Sequence, residues 1–264
     1  VYFIFQPGEE GFAGGEKMIQ DGMFDDFKID EVYALHNWPE LPLGTFGVNS
    51  GPMMAAVDEF DITVKGKGGH AASPHLAIDP VVISAQVISA VQTIISRSTD
   101  PVDKALISIT KINAGTAYNV IDDQVKMGGT IRTFRRETRA YIEKRLNELC
   151  KGIADAHGAE IKIEFDLVNK YPPTINSKEE TKFAANVAKD LVGDDKVITD
   201  IDPSMGGEDF SYLLEKKPGS YLYLGQGDAE HSAHLHTTKY DFNDNLLPIG
   251  VNFWVDLVQK YFSK

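Results

Sequence analysis

The sequence has 264 residues, of which 42% are hydrophobic and 25% charged, an ordinary composition for a globular protein. Its 39 acidic and 26 basic residues give a net charge of -13, which argues against nucleic acid or an anionic membrane as a partner. No apolar run reaches the roughly 18 residues of a membrane span. The single cysteine, Cys150, allows no disulfide within the chain and indicates a reducing, cytoplasmic location.

Residues 1–57 predict strands alternating with a helix. The opening VYFIF lacks polar alternation, which is typical of a strand buried on both faces. A helix is expected near Gly14–Asp21, followed by strands at 31–36 and 44–48. A domain rarely begins at a central strand, so we expect this chain to be the C-terminal part of a longer polypeptide.

Residues 58–170 have a different character. Polar alternation in DEFDITVKGKG predicts a sheet with one solvated face, and Asp79 before Pro80 predicts the start of a helix. Two strands, an amphipathic helix and a last strand follow; their sequences are ALISITKINAG, QVKMGGTIRTF, TRAYIEKRLNELCKGIADAHG and AEIKIEFDLVN. This βαββαβ order is the ferredoxin-like pattern.

Residues 171–264 return to the mixed style, with helices expected near Glu179–Leu191 and at 247–262 and strands at 196–200 and 220–225. The middle zone therefore looks like an insertion. We predict an α/β fold: one mixed-sheet domain formed by 1–57 and 171–264, interrupted by a ferredoxin-like domain at 58–170.

The adjacent carboxylates Glu9 and Glu10 are the first candidates for chemistry. Neighbouring side chains diverge, so one can bind a cation while the other faces water at that cation. A solvated pair of turn charges is the alternative. Sites in α/β sheets lie at the carboxyl ends of strands, so the position after VYFIF strengthens the functional interpretation, while a solvated charge pair stays the simpler one.

Histidines supply the remaining candidate ligands. His36 ends a predicted strand, and His231, His234 and His236 lie within six positions of one another. A capped or core histidine is the alternative for His36, and a loop role for the others. Glu10, His36 and His236 together would form a carboxylate and two imidazoles, a set that suits zinc, manganese or cobalt.

Four further residues are candidates outside that ligand set. His70 follows two glycines in GKGGHAASPH, and a turn histidine is the alternative. Asn119 offers an amide donor, Arg132 a cation, and Glu208 follows flexible residues in MGGEDF.

Seven motifs in order resemble the aminoacylase/carboxypeptidase superfamily of metal-dependent amidohydrolases. The motifs are FQPGEEG, ALHNWPELPLGTF, GKGGHAASPH, NAGTAYNVI, GTIRTF, MGGEDFSYLL and LHTTKYDFND. The nearest branch includes hippurate hydrolase and the indoleacetyl-amino-acid hydrolases.

The resemblance implies a catalytic domain interrupted by a lid domain that commonly forms a homodimer. It implies hydrolysis of N-acyl amino acids with divalent metal, two ions per intact site, of zinc, manganese, cobalt or nickel. Glu9 would be the general base, and Glu10, His36 and His236 metal ligands. His70 would polarise the scissile carbonyl, in some relatives from the partner subunit, and Asn119, Arg132 and Glu208 would lie near the substrate.

Two departures keep alternatives open. The family's N-terminal section, which supplies a Cys and a His ligand, is absent, so a non-catalytic remnant that binds ligands or dimerises is one alternative. The last motif lacks the usual Pro after its His, which leaves His234 as a second choice to His236. A dipeptidase or an N-acetyldiaminopimelate deacetylase of the same superfamily is the other alternative.

Overall fold

The computed structural model describes residues 1–165 and 170–263. Contacts divide the chain into two compact units, Val1–Met54 with Thr174–Lys264, and Ala55–Pro173. We call them the first and the second unit. The domain boundaries predicted at 1–57, 58–170 and 171–264, and the catalytic and lid roles assigned to those domains, stay predictions.

The first unit begins with three short helices and three strands. These are α1 (Glu9–Phe12), α2 (Gly14–Gln20), α3 (Met23–Asp26), β1 (Val32–Pro42), β2 (Phe46–Gly47) and β3 (Gly51–Met54). The second unit contains β4 (Ala56–Lys65), β5 (Gly69–His70), α4 (Pro80–Thr93), β6 (Ala105–Asn113), β7 (Val120–Ile121), β8 (Gln124–Thr133), α5 (Arg136–His157) and β9 (Glu160–Glu164). The first unit resumes with β10 (Thr174–Asn176), α6 (Lys178–Val192), β11 (Val197–Ile198), α7 (Ser211–Leu214), β12 (Gly219–Gly227) and α8 (Leu246–Phe262).

A four-stranded mixed sheet in the order β1-β12-β2-β11 organises the first unit. β1 and β12 are parallel, and His36 pairs with Tyr223 in their register. Eight consecutive residues of β12 are buried, which explains why its centre, YLYL, shows no polar alternation. This sheet places His36, in the middle of β1, next to the strand that carries Tyr221 and Tyr223.

The second unit contains an antiparallel sheet in the order β6-β8-β4-β9. α4 and α5 contribute buried residues to the same core cluster as the sheet. The buried residues of α5 recur every four positions, at Thr138, Ile142, Leu146, Cys150 and Ala154, as an amphipathic helix requires. The α/β class is confirmed, whereas a lid or dimerisation role for this unit stays a prediction.

Two predicted strands differ from the structure. VYFIF forms no strand and pairs with no strand of the described chain; Phe3 and Phe5 are 78% and 85% exposed. The predicted buried strand is therefore wrong here, because an extended segment becomes a strand only when a neighbour accepts its backbone hydrogen bonds. The strand expected to continue to Asn169 ends at Glu164, and its positions 166–169 lie outside the described residues.

One helical segment in the described ranges, α4 with its π-helical continuation Ile94–Ser98, is long and apolar enough to cross a membrane. A core helix of a soluble protein passes the same test. Ile83, Val87 and Val91 of this helix are buried in the core of the second unit. The absence of a membrane partner stays a prediction.

Candidate metal centre and active site

Glu9 and Glu10 open the short helix α1 on a tight turn. Gly8 and Gly11 have φ of 60° and 91°, a region that glycine adopts without strain. A Cβ on Gly14 would lie 1.4 Å from the Pro7 carbonyl oxygen, so only glycine allows the chain to fold back here. The sequence had suggested that the two carboxylates end a buried strand. They instead begin a short helix after a glycine turn.

Glu9 is half-buried among other acidic side chains. Burial is the largest cause that raises the pKa of Glu9 to about 7. The negative charges of Glu208, Glu10 and Asp209 act in the same direction, and a hydrogen bond from the backbone N–H of Asp209 acts against them. A carboxyl group whose pKa lies near neutrality can both accept and return a proton at working pH.

Glu10 faces His236, and the two side chains are 76% and 71% exposed. Glu10 Oε1 lies 3.7 Å from His236 Nδ1. Two ligands about 2.1 Å from one tetrahedral ion are roughly 3.4 Å apart, so this pair has close to ligand spacing. His236 has φ of 60°, a strained value for a histidine, and such strain is most often found at functional sites.

His36 lies within β1, which continues to Pro42, so the strand end predicted at His36 is wrong. A backbone contact fixes the orientation of its ring. His36 Nδ1 lies 2.7 Å from the carbonyl oxygen of Asn37. A carbonyl only accepts, so Nδ1 carries the proton and Nε2 has a free lone pair. That tautomer suits a metal ligand, because ligating histidines usually donate their other N–H to a carbonyl or carboxylate.

A partly buried hydrogen-bond network joins the segments that carry His36 and His236. Asn37 Nδ2 donates to Gln226 Oε1 at 2.9 Å and to the Tyr240 hydroxyl at 2.7 Å. Asn37 follows His36, Tyr240 is four residues beyond His236, and Gln226 is fully buried. The network ties the two histidine-bearing segments together. The sequence analysis missed these residues, and the only local signal was that Asn37 adjoins a candidate ligand.

The three predicted ligands are brought together only in part. Within residues 1–165 and 170–263, no group of three His, Cys, Asp or Glu side chains has the spacing to hold a metal ion. Glu10 and His236 are adjacent, while His36 contacts Asn37, Trp38 and Tyr221. The donor types and the Glu10–His236 spacing fit a divalent cation, and the complete ligand set stays a prediction.

The other two late histidines face different carboxylates. His234 Nδ1 lies 2.8 Å from Glu40, and His231 Nδ1 lies 2.8 Å from Asp228. The hydrogen bond to Asp228 is the largest cause that raises the pKa of His231. Of the three histidines, His236 is therefore the one in contact with Glu10, which favours it over His234.

Glu208 is 5% exposed, and three donors bind its carboxylate. Gln6 Nε2 and the Phe210 N–H donate to Oε1 at 3.0 and 2.9 Å, and the Tyr221 hydroxyl donates to Oε2 at 2.8 Å. These bonds occupy the carboxylate that the sequence analysis expected near the substrate. A substrate contact of Glu208 stays a prediction.

His70 and Asn119 lie side by side in the second unit. β5 pairs with β7, and the Ala71 N–H donates to the Asn119 carbonyl at 3.0 Å. The Ala72 N–H donates to His70 Nδ1 at 3.1 Å, so in the neutral ring Nε2 carries the proton. His70 is exposed and presents an N–H donor, the opposite tautomer to His36.

Arg132 lies far from this pair. It pairs with Val57 near one end of β8, whereas Gln124, beside β5 and β7, marks the other end. The eight residue steps from Gln124 to Arg132 span about 26 Å of strand. Burial lowers the pKa of Arg132, and the charges of Glu59 and Asp58 oppose that shift. One small molecule cannot contact His70 and Arg132 of the same unit.

Comparison with known proteins places this geometry in a family. The profile described as Peptidase family M20/M25/M40 matches residues 1–260. Hippurate hydrolase of Campylobacter jejuni is 39% identical over 259 residues, which cover 98% of this chain and 66% of that protein. N-acetyldiaminopimelate deacetylase of Lactobacillus helveticus is 41% identical over 253 residues, or 96% of this chain and 65% of that protein.

A solved structure from Bacillus subtilis, described as a dinuclear metal binding peptidase from the M20 family, is 32% identical with a TM-score of 0.79. It matches 97% of this chain and 63% of its own. This chain thus spans somewhat less than two thirds of the length of these relatives. The family predicted from the seven motifs is confirmed: the chain belongs to the peptidase family M20/M25/M40.

Proposed function

We propose that the protein carrying this chain hydrolyses the amide bond of N-acyl amino acids, such as hippurate, with the aid of divalent metal. The observation that carries this proposal is the pair Glu9 and Glu10. Glu9 is a half-buried carboxyl group with a pKa of about 7, and its neighbour Glu10 faces His236 at 3.7 Å. The names of two relatives, a hippurate hydrolase and an N-acetyldiaminopimelate deacetylase, are consistent with amide hydrolysis.

Glu10, His36 and His236 would hold the cation. When bound, a divalent cation lowers the pKa of water and polarises a carbonyl group. Mixed imidazole and carboxylate donors suit zinc, manganese, cobalt and nickel, and two ions per intact site are expected in this family. The relative described as a dinuclear metal binding peptidase supports that number.

Glu9 is the general base of the proposed reaction. Its carboxylate takes a proton from the attacking water and returns it to the amine nitrogen as the carbon–nitrogen bond breaks. His70 Nε2–H donates to the carbonyl oxygen as that oxygen gains negative charge. Asn119 and Arg132 would bind the carbonyl or carboxylate groups of the substrate.

A homodimer would explain the separation of these groups. His70 and Asn119 lie beyond one end of β8 and Arg132 near the other, so a site that uses all three draws them from two copies. We infer that His70 of one copy serves the site of its partner. The single buried Cys150 supports a cytoplasmic location, since extracellular proteins commonly carry disulfides.

The test is the substitution Glu9→Gln in the full natural polypeptide that contains this chain. We expect kcat for amide hydrolysis to fall about 10²- to 10⁴-fold, because general base catalysis is typically worth that factor. Glu16→Gln, a half-buried carboxylate seven positions away, is the matched control and should retain activity. Near wild-type turnover by the Glu9 variant would refute the proposed base.

Mixing inactive variants tests the shared site. Subunits of Glu9→Gln and His70→Ala, exchanged in equal amounts, should regain about a quarter of wild-type activity. Half of the dimers would then be mixed, and each mixed dimer would have one site with both residues intact. No recovery after confirmed subunit exchange would place His70 in its own chain's site.

Two alternatives follow from specific observations. Identity of 41% to an N-acetyldiaminopimelate deacetylase makes that activity the nearest rival, and a dipeptidase of the same superfamily stays a further alternative. A panel of N-benzoyl-, N-acetyl- and indoleacetyl-amino acids, N-acetyldiaminopimelate and dipeptides separates them by kcat/KM. The incomplete ligand grouping among the described residues favours a non-catalytic remnant, which a folded protein that retains no metal would support.

A further inference from the structure

The turn that carries Glu9 and Glu10 is held at both ends by one buried carboxylate, that of Asp209. Asp209 Oδ1 accepts a hydrogen bond from the side-chain amide of Gln6, three residues before Glu9. Asp209 Oδ2 accepts the backbone N–H of Gly15, five residues after Glu10, at 2.6 Å. Asp209 is fully buried, so these bonds are shielded from water.

Glu208 extends this contact to the main sheet. The Gln6 amide that binds Asp209 also donates to Glu208 Oε1 at 3.0 Å. Glu208 Oε2 in turn accepts the hydroxyl of Tyr221 on β12, whose ring centre lies 6.2 Å from that of His36. The turn with Glu9 and Glu10 is thereby linked to the strand beside His36.

The backbone of Asp209 contacts the proposed base itself. Its N–H donates a hydrogen bond to the Glu9 carboxylate. A Cβ on Gly15 would lie 3.0 to 3.1 Å from the Asp209 carbonyl oxygen and carboxylate, so glycine is what lets the two segments approach so closely. Asp209 thus contacts the turn through both its side chain and its backbone.

Glu208 and Asp209 are adjacent buried carboxylates, an arrangement that lowers the stability of the folded protein. The donors described for them, from Gln6, Gly15, Phe210 and Tyr221, are all neutral. Burying charged groups among neutral donors lowers the stability of the folded protein. An apolar or amide pair at these two positions would avoid that loss. Such a cost is commonly retained at functional sites, where it fixes the geometry of a catalytic group.

We propose that Asp209, acting with Gln6 and Glu208, is a positioning residue that holds Glu9 and Glu10 in their working orientation. The inference rests on the proposed function of Glu9 as base and Glu10 as metal ligand. It predicts that loosening these bonds harms turnover and metal affinity more than substrate binding.

The experiment compares Asp209→Asn and Gln6→Ala with wild type in the full natural polypeptide. We expect kcat to fall about 10- to 100-fold with KM within about threefold, because misplacing a catalytic group by 1 Å is worth that much. The Mn²⁺ dissociation constant should rise by a similar factor. Hydrogen exchange followed by mass spectrometry should show faster exchange at residues 8–15, with distant peptides unchanged.

Two controls separate positioning from general destabilisation. Asp190→Asn alters an exposed carboxylate that pairs with Lys260, and Gln259→Ala truncates an exposed glutamine of α8; neither should change kcat. The double variant of Gln6 and Asp209 should lose little more than either single variant, since both break one shared contact. Gln6 is only partly buried, so its variant decides the question if Asp209→Asn fails to fold.

The outcomes are distinct. Unchanged exchange at residues 8–15, or faster exchange with unchanged kcat and Mn²⁺ affinity, overturns the positioning role. A wild-type protein that cleaves no amide and binds no Mn²⁺ refutes the proposed function instead. In that case the exchange measurement still decides whether Asp209 holds the turn.

Discussion

Single backbone hydrogen bonds set two histidines of this chain in opposite tautomers. The Asn37 carbonyl accepts the proton of His36 Nδ1, and the Ala72 N–H donates to His70 Nδ1. His36 therefore offers a lone pair at Nε2 and His70 a proton. The imidazole of His36 is thus in the tautomer that can bind a metal, and that of His70 is in the tautomer that can donate a hydrogen bond.

Cys150 illustrates a residue whose surroundings suppress its chemistry. Burial raises the pKa of its thiol to about 12, and it lies on the buried face of α5. At pH 8 the thiolate fraction is then roughly a thousandfold lower than for an exposed thiol. We expect iodoacetamide to label the native protein far more slowly than the protein in concentrated guanidinium, with the native rate rising as pH increases. Equal rates in both states would show that Cys150 is accessible.

Candidate residues in short motifs could be named from the sequence, because Glu9 with Glu10, and His36 before Asn37, are local signals. The residues that support them through hydrogen bonds could not be named in this way. Asp209 contacts Gln6 across 203 positions, and Asn37 contacts Gln226 across 189. Nothing near Asp209 or Gln226 in the chain indicates these partners, because only the tertiary fold brings them together.

At the scale of helices and strands, signals carried within one element predicted the structure well. The start of α4 at Pro80 and the long amphipathic α5 follow from capping and periodicity. The strand expected for VYFIF did not form, because a strand depends on a neighbour that its own sequence does not contain. Short strands such as β5 and β7, at two residues each, carry too little pattern to be recognised.

The start of α4 gives a stability prediction. The Asp79 side chain accepts the N–H groups of Val81 and Val82 at 2.8 and 3.4 Å. Asp79→Ala should lower the free energy of unfolding by about 1 kcal/mol, because these N–H groups lose their acceptor. Asp79→Asn, which keeps an acceptor oxygen, should cost only a few tenths. Urea denaturation monitored by hydrogen exchange of α4 measures both, and equal losses for the two variants would contradict the capping role.

At the scale of the whole molecule, the proposed chemistry is divided between two compact units. The candidate base and metal ligands lie in the first unit, and His70, Asn119 and Arg132 lie in the second. The sequence indicated both groups through the family motifs. It could not indicate that His70 and Arg132 lie near opposite ends of one strand, because that depends on the register of β4, β5, β7 and β8.

Metal binding by the full natural polypeptide tests the central claim most directly. Calorimetric titration with Mn²⁺ should show a bound ion in the wild type. The variants Glu10→Gln, His36→Ala and His236→Ala should each weaken binding at least about tenfold. His157→Ala, which removes an exposed histidine of α5, should bind as wild type does. A wild type that binds no divalent ion, or ligand variants that bind as tightly as wild type, would contradict the account.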